Sequence, residues 1–253
     1  MSTTSNGLAG AYTAGSSVVR RCRARLLTGR AGAAVVVAVN AKPGTAAAAP
    51  VVGDTYVYRV VNGYSKEPRG EISCRVDKIE ADRVFVSVST ENPTLKSTPT
   101  EIYAVDGNWL RHSLTNHDQP RDYEFAPAYP AYAFPLESGK SWSLRVEATD
   151  PVSGRRNSVR VDGKVLGRER IRVPAGEFDT IKVRRLVYAG DWDGFLRETN
   201  ITETEWYAPA LGRPVRIESK SEWLDISRCG RECPWFRGDW NISELVAAPG
   251  LAR

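Results

Sequence analysis

The stretch from Val173 to Glu218 constrains the fold more than any other, because it reads as three long strands joined by tight turns. Pro174 presets φ and Gly176 tolerates a positive φ, so together they predict a chain reversal. Pro209 ends the next strand, and Gly212 turns the chain again. β-Branched and aromatic residues fill the segments between these turns, as is typical of strands. The stretch therefore indicates a sheet architecture rather than a reaction.

Strand patterns of the same kind continue through the rest of the chain. Residues alternate with a period of two over 55–60 and 72–79, and Val84–Val88 reads as a further strand. No segment of adequate length has a helical period. Asn62-Gly63 and Asp106-Gly107 read as hairpin turns. The expected fold is all-β: a single, strongly curved antiparallel sheet of about nine to eleven strands, open or half-barrel.

Residues 113–140 interrupt this pattern, because four prolines alternate there with five aromatic residues. A long irregular segment inside a compact domain is usually functional or covers part of the fold. Proline stiffens the chain and the aromatic rings need a surface to pack against. The segment is therefore predicted to be a proline- and aromatic-rich lid loop over the sheet.

The net charge of +5 arises from the first 49 residues. They contain six basic residues and no acidic residue, so that 29 basic and 30 acidic residues remain over 50–253. A nucleic-acid-binding domain needs a basic face on the folded part of the chain. Nucleic acid is therefore not expected among the partners.

The same 49 residues have the order of an export signal. A basic region ends at Arg30, an apolar run covers Ala31–Val39, and small residues follow at Ala46–Ala49. A disordered Ala/Gly-rich tail is the alternative. Since a membrane span needs ~20 apolar residues, the mature chain is expected to have none. We predict an export signal or disordered leader over 1–49 and one β domain over 50–253, periplasmic or secreted.

Export to an oxidising compartment gives the cysteines a structural interpretation. Cys229 and Cys233 could close a small disulfide loop. Cys74 alternates with Ile72 and Val76, which predicts a buried thiol, although a bond from Cys74 to one of the other two is the competing assignment. The spacing of Cys229 and Cys233 fits neither CxxC chemistry nor a zinc ribbon, and no metal or other cofactor is expected.

Catalytic motifs are scarce. His112 and His117 are the only two histidines, and their spacing does not match the helical HExxH pattern. Glu203 and Glu205 share one strand face, where we expect them to be solvated and to pair across strands with the basic run 182–185. The sequence has no nucleophile elbow, phosphate loop or dinucleotide fingerprint. We therefore assign no catalytic residue, and a hydrolase ranks behind the non-catalytic functions.

Aromatic residues supply the candidate binding surface. On a concave sheet they could line a face that accepts an apolar ligand, and the alternative is that they form a filled core. The candidate ligand-binding residues are Tyr56, Tyr58, Tyr132, Phe134, Trp142, Phe178, Tyr188, Trp206 and Trp223.

Three motifs carry a family resemblance. They are Phe-Pro-Leu-x-x-Gly-Lys-Ser-Trp at 134–142, Pro-Ala-Gly-x-Phe-Asp-Thr at 174–180 and Trp-Tyr-x-Pro-x-x-Gly at 206–212. They resemble exported proteins of Gram-negative bacteria whose sheet is similar to the open half-barrel of LolA/LolB-like lipoprotein carriers. The resemblance implies a fold and a compartment for residues 130–220, and it implies no catalytic residue.

Two classes of function follow from these observations. The first is an exported, non-catalytic binding or carrier protein of the cell envelope, with an apolar, lipid-like or amphipathic ligand. The second is a structural or interaction module with a filled core that meets an envelope protein partner through an edge strand or through Trp235 and Trp240. An empty apolar cavity would favour the first class, and a filled interior the second.

Removal of residues 1–49 should leave the stability of the β domain unchanged. The composition changes abruptly near Val51, from alanine- and arginine-rich to alternating strands. Thermal melts of the full chain and of residues 50–253 should therefore agree. A loss of several degrees on truncation would show that the leader is part of the fold.

Overall fold

The computed structural model describes residues 48–90, 92, 100–116, 119–190, 199–224 and 234–251. In this part of the chain, twelve antiparallel strands form a closed barrel. The strands are β1 (Thr55–Asn62), β2 (Pro68–Glu80), β3 (Arg83–Thr90), β4 (Thr100–Ala104), β5 (Trp109–Asn116), β6 (Gln119–Tyr129), β7 (Ser141–Thr149), β8 (Arg156–Val173), β9 (Gly176–Ala189), β10 (Thr199–Ala208), β11 (Arg213–Leu224) and β12 (Trp235–Ala247).

The barrel is a simple meander. Each strand pairs with the next one along the chain, and β12 pairs back with β1 from Val57 opposite Ala247 to Asn62 opposite Asn241. The all-β prediction is confirmed, but the predicted open or half-barrel sheet is wrong. Period-two alternation indicates strands with two different faces, whereas closure depends on pairing between the two ends of the domain, for which the sequence has no local pattern.

The predicted lid loop is wrong over most of its length. Residues 113–116 complete β5 and residues 119–129 form β6, so that 130–140 connect β6 to β7. Proline is tolerated in β6 because that strand pairs with β7 only over Glu124–Ala126, so Pro127 removes no backbone hydrogen bond to β7. The connection carries buried residues, among them Ala131 and Tyr132. It is therefore part of the packed structure rather than a cover over an open sheet.

The longest hairpin, β8–β9, extends beyond its neighbours. Its turn at residues 173–176 lies where the proline and glycine predict a reversal, and Gly176 has a φ of +136°. The backbone N–H of Ala175 donates to the carbonyl of Leu245 in β12, at 3.0 Å. Since β10 and β11 lie between β9 and β12, the tip of this hairpin crosses both strands.

Two clusters of buried side chains occupy the domain. The first, which includes Tyr129, Val161 and Val183, is contributed mainly by β5 to β10. The second, which includes Val86 and Leu245, joins β1 to β3 with β10 to β12 and the tip of the β8–β9 hairpin. In the described residues, no helix is long and apolar enough to cross a membrane.

Trp206 shows how the hairpin covers the outside of the barrel. Alternation along β10 places it on the face opposite Glu205 and Tyr207, yet only 7% of it is exposed. The Lys182 ammonium lies 4.5 Å from the centre of the indole ring, and the Arg216 guanidinium carbon lies 5.1 Å from it. Trp206 is therefore a packing residue of the outer face.

Truncation of Trp206 to alanine should lower the free energy of unfolding by about 3–5 kcal/mol, because the lost ring leaves a void under the hairpin. The matched control is Tyr188→Ala on the half-exposed outer face of β9, which should cost about 1 kcal/mol. Urea unfolding measures both. Equal, small losses would show that the hairpin does not pack on the barrel.

Candidate functional site

A cavity of about 730 Å³ opens at one end of the barrel. Its mouth is bordered by the β4–β5 turn, the β10–β11 turn and the β6–β7 connection, together with Pro50 and with Ala48 from the end of the predicted leader. These three connections fall at the same end because alternate connections of an antiparallel meander share one end. The described part of the cavity therefore has an entrance made of turns and walls made of strands.

One wall of the cavity is apolar. β2 contributes Ile72 and Val76, and β3 contributes Val84 and Val86. Within each strand they are two or four residues apart, so they lie on one face, and this face lines the cavity. The rings of Tyr56 and Tyr58 from β1 continue this wall, and Cys74 lies within it. This side of the cavity suits hydrocarbon.

A buried ion-pair cluster lies inside the barrel beside the cavity. Arg185 of β9 is 1% exposed, and its Nε–H donates to Glu203 at 2.8 Å. A second nitrogen pairs with Glu205, and the third donates to the carbonyl of Ala131 at 2.9 Å. The predicted pairing between the basic run and these acids is confirmed for Arg185. The predicted solvated position of the two glutamates is wrong, because closure turns their face inward.

Two tyrosines complete this cluster. Tyr129 donates its hydroxyl to Glu203 at 3.1 Å, and Tyr132 donates to Glu205. Burial and then the neighbouring carboxylates raise the pKa of both tyrosines well above the usual value, so both hydroxyls stay protonated and donate. Burial by itself would lower the pKa of Arg185, but the two glutamates raise it above its usual value. Through Ala131 and Tyr132, the cluster fixes the β6–β7 connection to β9 and β10.

A second polar group lines the cavity around Glu101 of β4. Tyr103 donates its hydroxyl to this carboxylate, and His112 Nε2 lies 3.2 Å from it. The imidazole stacks on the indole of Trp109, with 4.0 Å between ring centres. Burial and the nearby Glu101 raise the pKa of Tyr103 well above the usual value. His112 is thus a hydrogen-bonded histidine, and His117 lies outside the described residues.

Arg213 lines the cavity, and the partners of its guanidinium differ from those of Arg185. It begins β11 beside the mouth, and its guanidinium carbon lies 4.7 Å from the ring centre of Tyr56 and 5.8 Å from that of Tyr103. No carboxylate of the described residues makes an ion pair with it. Aromatic faces therefore hold this guanidinium in place while its N–H groups point to no acceptor in that part of the chain.

The cysteines give no sign of a reactive centre where they are described. Cys74 is a free, buried thiol, as predicted. Burial raises the pKa of Cys74 to about 12, so the thiol stays protonated and is a poor nucleophile. Cys229 and Cys233 lie outside the described residues, and their disulfide stays a prediction. Within the described ranges, no group of three or more His, Cys, Asp or Glu residues could hold a metal ion.

The nine aromatic residues proposed from the sequence separate into two groups. Tyr56, Tyr58, Tyr132 and Phe134 line the cavity. The other five are not among the cavity-lining residues. Trp142 packs on Gly163, Trp206 belongs to the second buried cluster and Phe178 packs against it, Tyr188 contacts Arg160, and Trp223 stacks on Phe236.

Sequence reasoning missed several polar residues of the cavity. Glu101 and Arg213 had no motif around them. Glu101 is a single charged residue within β4, and Arg213 directly follows the β10–β11 turn, where charged residues are common. Trp109 follows the Asp106-Gly107 turn, which predicts a hairpin but no binding role. Alternation could have grouped Glu101 with Tyr103 on one face of β4, and Glu205 with Tyr207 on one face of β10. It could not say that these faces are the inner ones.

Among known proteins, the chain is similar to solved structures but matches no family model and no curated protein. A provisionally assigned lipoprotein from Parabacteroides distasonis has a TM-score of 0.46 and 17% identity, over 78% of this chain and 95% of that one. The hypothetical lipoprotein YmcC from Escherichia coli has a TM-score of 0.42 and 12% identity, over 78% and 85%.

A provisionally assigned exported protein with a YmcC-like fold from Bacteroides fragilis has a TM-score of 0.42 and 17% identity, over 78% of this chain and 96% of that one. None of these three is described as a LolA- or LolB-like carrier. At such low TM-scores, these likenesses say nothing about what this chain binds.

Replacement of Arg185 by methionine should lower the free energy of unfolding by about 3–5 kcal/mol, because it leaves Glu203 and Glu205 buried without a cation. The control is Arg184→Met, an exposed neighbour on the outer face, which should change stability by less than about 0.5 kcal/mol. Guanidinium unfolding measures both variants. Adding Glu203→Gln and Glu205→Gln to Arg185→Met should recover part of the loss, and no recovery would contradict the charge-based explanation.

Proposed function

We propose that the protein is an exported, non-catalytic binding or carrier protein of the cell envelope whose barrel cavity takes up an apolar or amphipathic molecule. The cavity itself is the observation that supports this proposal. Its volume of about 730 Å³ falls within the ~300–1,000 Å³ range of pockets that hold small molecules. A mouth made of turns gives such a molecule a route to the apolar wall.

The contrast between the two sides of the interior supports a binding role. Protein interiors are normally packed as densely as organic crystals, with few voids larger than a water molecule. Tyr129, Val161 and Val183 pack in this way on one side. An unfilled volume lowers stability in proportion to its size. A hollow side maintained next to a filled one therefore favours a site over a packing defect.

The bonding of the acids supports a non-catalytic role. Glu203 and Glu205 are held by Arg185 and two tyrosines, and Glu101 is held by Tyr103 and His112. A general acid or base has to reach a substrate proton. Carboxylates that are already engaged suit a structural role better.

Two further observations bear on the competing function, an interaction module. Barrel closure gives each described strand a paired neighbour on both sides, although β6 and β7 pair only over Glu124–Ala126, so this sheet has no end strand for a partner strand to extend. Trp240 packs against Tyr64 and Lys66, whereas Trp235 is 48% exposed. One exposed tryptophan is weaker support for a partner than the cavity is for a ligand.

The order of basic, apolar and small residues in 1–49 supports export to the periplasm or beyond.

A neutral fluorescent probe tests the proposed function. N-Phenyl-1-naphthylamine should bind the protein and gain fluorescence in the apolar cavity. The variant Ile72→Trp replaces an aliphatic side chain of the cavity wall with a bulky indole ring and should weaken probe binding at least about tenfold. Leu186→Trp, on the exposed outer face of β9, is the matched control and should bind as the natural protein does. The proposal fails if the natural protein gives no fluorescence gain, or if both variants bind equally well.

A further inference from the structure

We infer that the ligand is an amphiphile with a single negatively charged head group, a carboxylate, which Arg213 binds at the cavity mouth while the apolar tail lies along β2 and β3. This inference rests on the proposed function and names the chemical class of the ligand. It is carried by the position of Arg213, by its lack of an acidic partner in the described residues, and by the two acids that share its cavity.

The fold directs Arg213 into the cavity. The residue follows Leu211 and Gly212 of the β10–β11 turn, both of which border the mouth. Its guanidinium lies over Tyr56 and Tyr103, two cavity-lining rings from opposite sides of the β2–β3 wall. A cation near two ring faces is held in orientation without losing its hydrogen-bond donors. The fork of N–H groups is therefore available to a molecule inside the cavity.

Comparison with Arg185 shows that this availability is specific to Arg213. Both side chains are arginines that point into the same barrel. Arg185 has three acceptors, from Glu203, Glu205 and the carbonyl of Ala131. Arg213 has none among the described residues. Arg213 is only partly exposed beside the mouth. A cation that is partly shielded from water and has no anion partner is unfavourable, so a bound carboxylate would relieve that cost and would fit the guanidinium in a bidentate manner.

The acids of the cavity favour one negative charge on the ligand. Glu101 and Glu205 line the same space, and the charge of Glu101 acts on Arg213 from beyond ion-pair distance. A phosphate monoester carries close to two charges and would meet these carboxylates with one guanidinium to offset them. Nearby hydroxyls are engaged as well, since Tyr58 donates to the carbonyl of Pro214 at 2.8 Å. A carboxylate can be matched by Arg213 alone, the arginine that the described residues place in the cavity.

The apolar wall accounts for the other end of the ligand. Ile72, Val76, Val84 and Val86 are aliphatic and neighbour one another across β2 and β3. Such a surface binds a hydrocarbon chain through its area and contributes no hydrogen bonds. A polar group at the mouth and an aliphatic wall behind it match a molecule with a charged head and a hydrocarbon tail.

Displacement of N-phenyl-1-naphthylamine by three matched amphiphiles tests the inference: dodecanoate, dodecanol and dodecyltrimethylammonium, each below its micellar concentration. The natural protein should bind dodecanoate most tightly. Arg213→Gln should weaken dodecanoate about 10- to 100-fold, as expected for loss of a charge-assisted contact. Binding of dodecanol and of the probe itself should change by less than about twofold. Arg213→Lys keeps the charge and should retain part of the preference.

The control variant is Arg216→Gln, three residues further along β11, whose side chain pairs with Glu218 and Glu244 outside the cavity. It should leave dodecanoate binding unchanged. Equal affinities of the natural protein for dodecanoate and dodecanol would overturn the inference. This comparison needs no variant, so it still tests the inference if Arg213→Gln fails to fold. Tighter binding of dodecyl phosphate than of dodecanoate would overturn the single charge. These outcomes leave the proposed function standing, whereas failure of the neutral probe to bind would reject the proposed function itself.

Discussion

The pairing of β1 with β12 is the interaction on which the rest of the structure depends. It joins Val57 to Ala247 across almost the whole domain and converts a meander into a barrel. Once the sheet is closed, one face of every strand becomes interior, whatever residues that face carries. Glu203 and Glu205 illustrate the consequence, because on an open sheet they would meet water. In the barrel they are buried and need a cation, which β9 supplies directly across the strand pair as Arg185.

The same cation determines where the interior is filled and where it is hollow. A barrel of twelve strands encloses more space than wall side chains alone fill, so part of that space has to be occupied by other residues. The β6–β7 connection provides them, and it is held inside through Ala131 and Tyr132, which bond to Arg185 and Glu205. The aromatic stack of Trp109 and Tyr129 packs against this side. The space that remains lies against β1 to β3, and this space is the cavity.

Local features of the fold could be predicted from the sequence, and features set by distant contacts could not. Pro174 and Gly176 fix the β8–β9 turn within a few residues, and alternation correctly groups Cys74 with its buried neighbours. Alternation states which residues share a face, but not whether that face becomes the inside of a barrel. Trp206 was therefore a candidate for the cavity, although it packs on the outer face under the hairpin. The prolines around Pro127 suggested a loop because they lack a donor, and a sparsely paired strand satisfies the same constraint.

Stability and binding make opposite demands on a buried charge, and the barrel meets each demand in a different place. A structural charge has to be neutralised by the protein itself, as Arg185 is by two carboxylates and a carbonyl. A binding charge has to be left with donors that the folded chain does not use, yet be held well enough to stay in place. Stacking on Tyr56 and Tyr103 achieves this for Arg213, because an aromatic face orients a guanidinium without consuming its hydrogen bonds. Arg185 lies among packed side chains, whereas Arg213 lies beside the entrance. The unpaired cation, which destabilises the fold, is therefore located where a bound ligand can pair with it.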